Sequence, residues 1–299
     1  MEPHERWVSC VTFSLKGNNM KTSSKWILAV AIMGTLGLAI VLPLTPAFSA
    51  GPTIVVSPAN PHGWSTADTR PGGAVNFVFD NTAPSGIGAL QLTTDATTTS
   101  KAQYMHAANV PLADITDLSY YTRQVSAPLF PGADPSYQLP VCLGGVVAGN
   151  CVGFTTFVYE PYQNPGLGTP GFGVIPNIWQ KWDVDAGQFW SSRTATDGGT
   201  CNVAAGGGGA PFYTLAGLKA VCPNAVVAGF GVNIGSNNPS YNVYTDLFNF
   251  NGTTYDFEPY EVATSKDQCK DGGFALVKRA DGSAFKNQGD CIQYVNTGK

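Results

Sequence analysis

Three tryptophans within twelve residues, with two tyrosines shortly before them, are the residues of this sequence best suited to bind a ligand. The stretch contains Trp179, Trp182 and Trp190, and Tyr159 and Tyr162 flank the start of a proline-rich loop. Exposed aromatic faces stack against the C–H faces of sugar rings, while neighbouring polar side chains fix the hydroxyl groups. These five aromatic residues are therefore candidate contacts for a polysaccharide.

The competing interpretation is that these aromatic side chains fill a core. Large apolar rings are usually buried, and a sheet protein of this size needs many of them. Trp179 and Trp182 differ in parity, so a regular strand directs them to opposite faces. We expect one of the two to be buried and the other to face outward, with Trp190 the best candidate for exposure.

Catalytic motifs are scarce. The sequence contains neither G-x-S-x-G nor H-E-x-x-H, which excludes the serine hydrolases and metalloproteases that carry those motifs. A glycoside hydrolase needs two opposed carboxylates, and after residue 49 the only glutamates are Glu160, Glu258 and Glu261. Asp183 and Asp185, two residues apart on one strand, leave a hydrolase using aspartates as a third hypothesis.

Asp183 and Asp185 also supply the oxygen ligands that calcium prefers. No contiguous EF-hand loop accompanies them, so a structural calcium is a secondary hypothesis at these two positions. The sequence predicts no other cofactor.

The N-terminal 49 residues have the organisation of a secretory signal peptide. An uncharged apolar run follows Lys21 and Lys25, and small residues precede a cleavage site placed after Ser49. Translation starting at Met20 would give a leader of more ordinary length. The alternative is an uncleaved membrane anchor, because the apolar run reaches the lower limit of a bilayer span. Only in that case do we expect contact with a membrane.

Charge and composition narrow the classes of partner. The chain has 299 residues, a formal net charge of −4 and only 12% charged residues, with 43% hydrophobic residues. That apolar content argues against intrinsic disorder, and the acidic balance argues against nucleic acid as a partner.

Removing the leader also removes Cys10 and leaves six cysteines, an even number that suggests disulfides in an exported protein. Fifteen pairings of six cysteines exist. Proximity in sequence favours Cys142–Cys151, Cys201–Cys222 and Cys269–Cys291. Zinc is the rival interpretation, but the sequence lacks C-x-x-C, and the histidines of the mature chain lie far upstream.

Short runs of alternating apolar and polar residues, separated by turn residues, dominate the mature chain and predict strands. The clearest runs cover 74–79, 88–94, 101–107, 117–123, 136–143, 151–160, 225–234, 241–250 and 253–259. Only 214–225 has helical spacing. We therefore predict an all-β antiparallel sandwich, a jelly roll, over 50–263, with one short helix. Residues 264–299 form a polar, disulfide-closed appendage.

The predicted strand 225–234 has an uneven pair of faces. One face carries Val226, Ala228, Phe230, Val232 and Ile234, and the other carries Gly229, Gly231 and Asn233. So bare a face lets another backbone, a bulge or a ligand come close.

The C-terminal pattern K-D-Q-C-K-x-G-G…F-K-N-Q-G-D-C resembles the tail of uncharacterised secreted proteins of soil bacteria. The segments GIGALQLTT, NIWQKWDVDAGQFWSSR and FGVNIGSNNPSYNVYTDLFNFNGTTYDFEP resemble the sandwich that precedes that tail. At the level of fold, the sequence is similar to the jelly rolls of carbohydrate-binding modules, which have Asp-Asn-hydrophobic where this chain has Asp246-Leu247-Phe248. The resemblance implies an extracellular binding protein and assigns no activity.

Together these observations favour a secreted, non-catalytic protein that binds an extracellular or cell-wall polysaccharide. The alternative is a structural or adhesive surface protein that binds protein or matrix.

Overall fold

The computed structural model describes residues 51–126, 130–164 and 173–299. The predicted signal segment lies outside these ranges. Numbered β1 to β20 in chain order, the described strands form two seven-stranded sheets and three two-stranded ones. The fold is an all-β sandwich with short helices, as the sequence predicts.

The first sheet has the long strand β17 at its centre. Its seven strands are β1 (Thr53–Val56), β3 (Gly73–Phe79), β4 (Gly88–Thr94), β6 (Leu118–Gln124), β11 (Gln180–Asp183), β17 (Asn242–Phe250) and β18 (Thr253–Phe257). One edge of β17 pairs with β6, which pairs in turn with β11. The other edge pairs first with β4 and then with β18, so the sheet branches there. Beyond β18 lies β1, in a parallel pairing.

The second sheet has the order β15-β12-β10-β7-β16-β5-β2 and is antiparallel throughout. Its strands are β2 (Trp64–Ser65), β5 (Ala102–Pro111), β7 (Ser136–Cys142), β10 (Phe154–Tyr159), β12 (Gln188–Ser191), β15 (Phe212–Thr214) and β16 (Val226–Ile234).

The core lies between the two large sheets and is rich in aromatic residues. Tyr137 of the second sheet stacks on Phe248 of the first, with ring centroids 4.2 Å apart. Phe230 stacks in the same way on Phe250 at 4.0 Å. Inward-facing residues of both sheets join one continuous buried cluster. Burial of these rings is the main term holding the sheets together.

Three disulfides and three α-helices complete the described part of the fold. All three cysteine pairs that sequence proximity favours are bonded: Cys142–Cys151, Cys201–Cys222 and Cys269–Cys291. The helix predicted at 214–225 is α1 (Leu215–Val221), capped by the Thr214 side chain. Two more helices, α2 (Lys266–Cys269) and α3 (Gln288–Thr297), lie in the C-terminal segment. The remaining short strand pairs are β8 (Val146–Val147) with β9 (Asn150–Cys151), β13 (Ala195–Thr196) with β14 (Asn202–Val203), and β19 (Glu261–Val262) with β20 (Val277–Lys278).

The C-terminal segment has a small core of its own. Ala263, Cys269, Val277, Phe285 and Cys291 are buried together in a cluster separate from the main one. The Cys269–Cys291 disulfide joins α2 to α3 at the centre of this cluster. A core of five buried residues is too small to hold such a segment firmly without a covalent link.

The alternation predicted for 225–234 is wrong at its beginning. A bulge shifts the register of β16 between Val227 and Gly229. Val227 consequently joins the core with Phe230, and Ala228 faces away from it, whereas strict alternation placed Ala228 with Phe230. A prediction from odd and even positions fails here, because the extra residue in a bulge shifts the alternation of the side chains by one position.

Among the described residues, no helix is both long enough and apolar enough to cross a membrane.

Candidate functional site

A groove of about 870 Å³ crosses the outer face of the second sheet. Its lining comes from six neighbouring strands or the turns beside them, from β12 at one side to β2 at the other. Five interstrand spacings of about 4.8 Å give it a span of roughly 24 Å. We call this feature the groove, and its span suits an extended ligand.

Strand alternation determines which side chains enter the groove. In β7, Tyr137, Leu139 and Val141 are buried in the core, whereas the intervening Gln138 and Pro140 line the groove. In β10 the outward set is Phe154, Thr156 and Val158, and Glu160, the residue after the strand, continues it. Because successive strand residues point to opposite faces, the same pattern that builds the core also builds the groove.

The glycines of β16 allow the strand β5 to approach closely. A Cβ added to Gly231 would lie 2.2 Å from the carbonyl oxygen of Tyr104, and one added to Gly229 would lie 3.0 Å from that of His106. The bare face of β16 therefore reflects both a close backbone and the bulge. Gly229 and Asn233 also line the floor of the groove.

Amide and hydroxyl groups form a polar network on this floor. The Asn233 side-chain amide donates to the Gln103 side-chain oxygen over 3.1 Å. Beside them, the Gln138 amide donates to Ser136 Oγ over 2.6 Å, and that hydroxyl donates to the Asn233 carbonyl over 3.1 Å. Side chains of this type both donate and accept hydrogen bonds, which is what a polyhydroxylated ligand requires.

Trp190 forms part of the wall and is half-buried. Its Nε1 donates a hydrogen bond of 2.9 Å to Oε2 of Glu160. Burial raises the pKa of the Glu160 carboxyl, although hydrogen bonds from Trp190 and Tyr162 act in the opposite direction. Glu160 therefore holds the edge of the indole and leaves its faces to pack or stack.

A glycine-rich turn, 206–209, packs against Trp190. The Gly206 N–H donates to the Ser191 carbonyl over 2.9 Å, and the Gly208 carbonyl accepts from the Gln163 amide over 2.6 Å. A Cβ on Gly206 would lie 2.7 Å from the Trp190 Cβ. Gly207 and Gly208 line the groove, so this turn contributes to its wall.

Charged side chains line the groove near two of its corners. The segment 67–70 runs beside the beginning of β5, where the Thr69 hydroxyl donates to the Gln103 carbonyl over 3.1 Å, and brings Asp68 and Arg70 close to Lys101. Burial lowers the pKa of Lys101, the Asp68 carboxylate raises it, and the Arg70 guanidinium lowers it again. At the other corner, Arg193 lies over the Phe154 ring, 5.0 Å from its centroid.

The five aromatic residues predicted to bind a ligand are not brought together. Trp182 is 7% exposed and donates from Nε1 to Thr122 in the interior, and Tyr159 is 2% exposed and packs in the core. Tyr162 borders a smaller cavity beside the groove, and Trp179 lines neither. Of the five, only Trp190 lines the groove. Trp182 lies within β11 and is buried, whereas Trp179 precedes that strand and is half-buried.

The two aspartates proposed for calcium take separate roles. The exposed Asp183 pairs with Lys181 at 2.8 Å, while Asp185 accepts a bond of 3.3 Å from the Leu118 N–H. Over the described ranges, no group of three or more His, Cys, Asp or Glu residues is arranged to hold a metal ion.

Most residues of the groove were not among the predicted site residues, including Gln103, Gln138, Arg70, Lys101 and Arg193. Alternation carried a usable indication for Gln138, which lies between the core residues Tyr137 and Leu139. The basic residues come from segments far apart in sequence, and no local pattern links them.

Comparison with known proteins gives only distant likenesses. No protein-family model and no curated protein matches the chain. Among solved structures, a family 11 carbohydrate-binding module from Clostridium thermocellum, in complex with a β-1,3-1,4-mixed-linked tetrasaccharide, has 13% identity and a TM-score of 0.36, covering 64% of this chain and 90% of its own. A xylan-binding family 22 domain from Paenibacillus barcinonensis has 13% identity and a TM-score of 0.30, covering 63% and 85%. These likenesses are too distant to add to what the groove itself shows.

Proposed function

We propose that this protein is an extracellular, non-catalytic binder of polysaccharide and that the groove is its binding site. The observation that carries the proposal is the groove itself: it crosses six strands, its floor is lined by amide and hydroxyl side chains, and Trp190 stands in its wall. An extended chain of sugars offers hydroxyl edges to such a floor and C–H faces to such an indole.

A concave site suits a glycan chain better than a protein surface. Sites for small or extended ligands are concave and bury most of the ligand, whereas protein partners favour flatter apolar patches. This difference favours the polysaccharide over the adhesive alternative.

The spacing of the acids in the groove supports a role without catalysis. Its two carboxyl groups are Asp68, from the segment beside β5, and Glu160, at the end of β10. β7 and β16 lie between those strands, so three spacings give a separation of about 14 Å. Glycosidase carboxyl pairs lie roughly 5–10 Å apart.

Three disulfides support an extracellular location, because such bonds persist in oxidising compartments. The predicted signal peptide points to the same compartment.

The test is a pull-down of oxidised 50–299 on insoluble polysaccharides of both neutral and acidic kinds. We compare the wild-type protein with Trp190→Ala in the groove and with Trp179→Ala outside it, after confirming that all three melt alike. We expect retention on at least one polymer that only Trp190→Ala weakens, by about tenfold for one lost aromatic contact.

Absence of retention on every polymer would reject the proposal. Equal loss in the two variants would place the site elsewhere, and release of reducing sugar from a retained polymer would show catalysis.

A further inference from the structure

The sandwich contains six basic residues, and half of them have carbonyl or carboxylate partners outside the groove. Arg123 pairs with Asp80 at 2.6 Å, Lys181 pairs with Asp183 at 2.8 Å, and the Lys219 ammonium donates to the Ile115 carbonyl. The other three cations all line the groove, namely Arg70, Lys101 and Arg193. None of the ion pairs found among the described residues involves these three side chains.

These cations occupy opposite corners of the groove. Lys101 and Arg70 lie at the beginning of β5, beside the end of β16. Arg193 follows β12 and lies over Phe154, at the beginning of β10. Since β5, β16, β7 and β10 alternate in direction, the beginning of β10 lies at the edge of the sheet opposite to the beginning of β5. A ligand running diagonally across the floor meets positive charge at both ends.

The charged side chains of the groove are mostly positive, whereas the sandwich as a whole is negative. Residues 51–263 contain 14 acidic and six basic residues, so the sandwich is strongly acidic. Only two of those acids, Asp68 and Glu160, line the groove, against three cations. The Glu160 carboxyl group already accepts a hydrogen bond of 2.9 Å from Trp190 Nε1, so one of its oxygens is directed at the wall and not at a ligand on the floor.

We infer that the polysaccharide recognised in the groove is anionic and carries carboxylate or sulfate groups, which Arg70 and Lys101 receive at one end and Arg193 receives at the other. The inference rests on the proposed function and specifies its ligand class. The guanidinium group donates two parallel hydrogen bonds to such oxyanions, and an ammonium group supplies a compact charge. A neutral glycan would give the exposed Arg70 and Arg193 guanidinium groups and the half-buried Lys101 ammonium group no anion to bind.

The test uses matched pairs of polymers that differ only in charge. Polygalacturonate and its carboxyl-reduced form probe carboxylate, and ι-carrageenan and its desulfated form probe sulfate. Affinity is measured by isothermal titration with oxidised 50–299. We expect one acidic polymer to bind at least about tenfold more tightly than its neutral partner, and the affinity to fall as salt rises from about 0.05 to about 0.5 M.

Variants locate the effect. Arg70→Gln, Lys101→Gln and Arg193→Gln should each weaken binding of the acidic polymer by about fivefold, the range of a partly exposed charge pair. They should leave binding of its neutral partner unchanged. Lys181→Gln is the matched control, because it removes a cation of the sandwich that lies outside the groove.

The other possible results overturn either the anionic inference or the proposed function. Equal affinity for the charged and neutral members of both pairs overturns the anionic inference and leaves the proposed function standing. Preference for the acidic polymers that Lys181→Gln weakens as much as the groove variants shows general attraction of polyanions and also overturns it. Binding to none of the four polymers or the polysaccharides of the pull-down rejects the proposed function itself.

Discussion

The indole Nε1 of Trp190 lies 2.9 Å from Oε2 of Glu160, and this hydrogen bond joins two adjacent strands in the wall of the groove. Burial raises the pKa of the Glu160 carboxyl group. The hydrogen bonds from the Trp190 indole N–H and the Tyr162 hydroxyl lower it. The bond therefore holds the edge of the Trp190 ring in place and favours the ionised form of Glu160 against the larger, opposite effect of burial.

Replacing Trp190 by Phe should raise the pKa of Glu160 further. Phenylalanine keeps an aromatic ring in the wall but cannot donate, so the ionised form of Glu160 loses a favourable bond. The measurement is a carboxyl-carbon NMR titration, in which Glu160→Gln identifies the resonance by its disappearance. A pKa that stays constant or falls in Trp190→Phe would show that water replaces the indole and that the bond does not control Glu160.

Gly206→Ala should weaken glycan binding while leaving the fold intact. The new Cβ would lie 2.3 Å from the Gly209 carbonyl and 2.7 Å from the Trp190 Cβ, so the turn or the indole must move. A displacement of this kind at a binding wall should reduce affinity by about tenfold, as for loss of one good contact.

Gly199→Ala is the matched control for that substitution. Its Cβ would meet Asp197 at 3.4 Å, an ordinary contact, in a loop outside the groove. The two variants are compared by titration with a retained polymer and by thermal melting. Equal affinities would show that the turn is not part of the binding wall.

Much of the sandwich could be predicted because strand formation leaves a local trace. The alternation in 88–94 matches β4. Asn-Gly is a common hairpin dipeptide, and Asn251-Gly252 forms the turn between β17 and β18, with φ values of 52° and 83° that this dipeptide tolerates. Pairing is not local. The parallel contact of β1 with β18 and the division of one edge of β17 between β4 and β18 join distant segments, and only the packed core selects them.

The site was less predictable, for a related reason. Tyr159 lies on the same face of β10 as Phe157, and both side chains are buried. Given the strand, its alternation alone predicts that Tyr159 is a core residue. Trp190 could be predicted as a ligand contact because it is a tryptophan. The corner formed by Arg70 and Lys101 depends on a segment that crosses beside β5, which no spacing in the sequence indicates.

Stability should fall as the pH rises from about 5 to about 9. Burial raises the pKa of Asp134 to about 8 in the folded protein, against an ordinary value of 3.8. Between those values the folded state holds a proton that the unfolded state has released, so a higher pH favours unfolding. One such proton gives a slope of up to about 1.4 kcal/mol per pH unit. Chemical denaturation at a series of pH values measures this slope.

Asp134→Asn should reduce the slope of the unfolding free energy against pH by the contribution of up to one proton. The reason is that an amide, which does not titrate, replaces the carboxyl group beside Thr122. The slope should not vanish, since burial also raises the pKa of Glu258, to about 7, and that of Asp246. Asp267→Asn, at an exposed position, should leave the slope unchanged, because Lys270 lowers the pKa of Asp267 and its proton is lost below this pH range in both states. A wild-type free energy of unfolding that increases over this pH range would contradict the buried, protonated state of Asp134.

Removing the third disulfide should unfold the C-terminal segment and spare the groove. In Cys269→Ala/Cys291→Ala, the segment would depend on a core that has lost two buried sulfur atoms as well as the covalent link. A disulfide closing a loop of this length contributes about 3 kcal/mol, more than so small a core can replace. We expect trypsin to cleave at Lys270, Lys278 and Arg279 in the variant and not in the wild type.

Binding to a retained polymer should remain within about twofold in the same variant, because none of these residues lines the groove. Resistance to trypsin equal to that of the wild type would show that the segment folds without its disulfide, and a loss of binding would show that the groove depends on it.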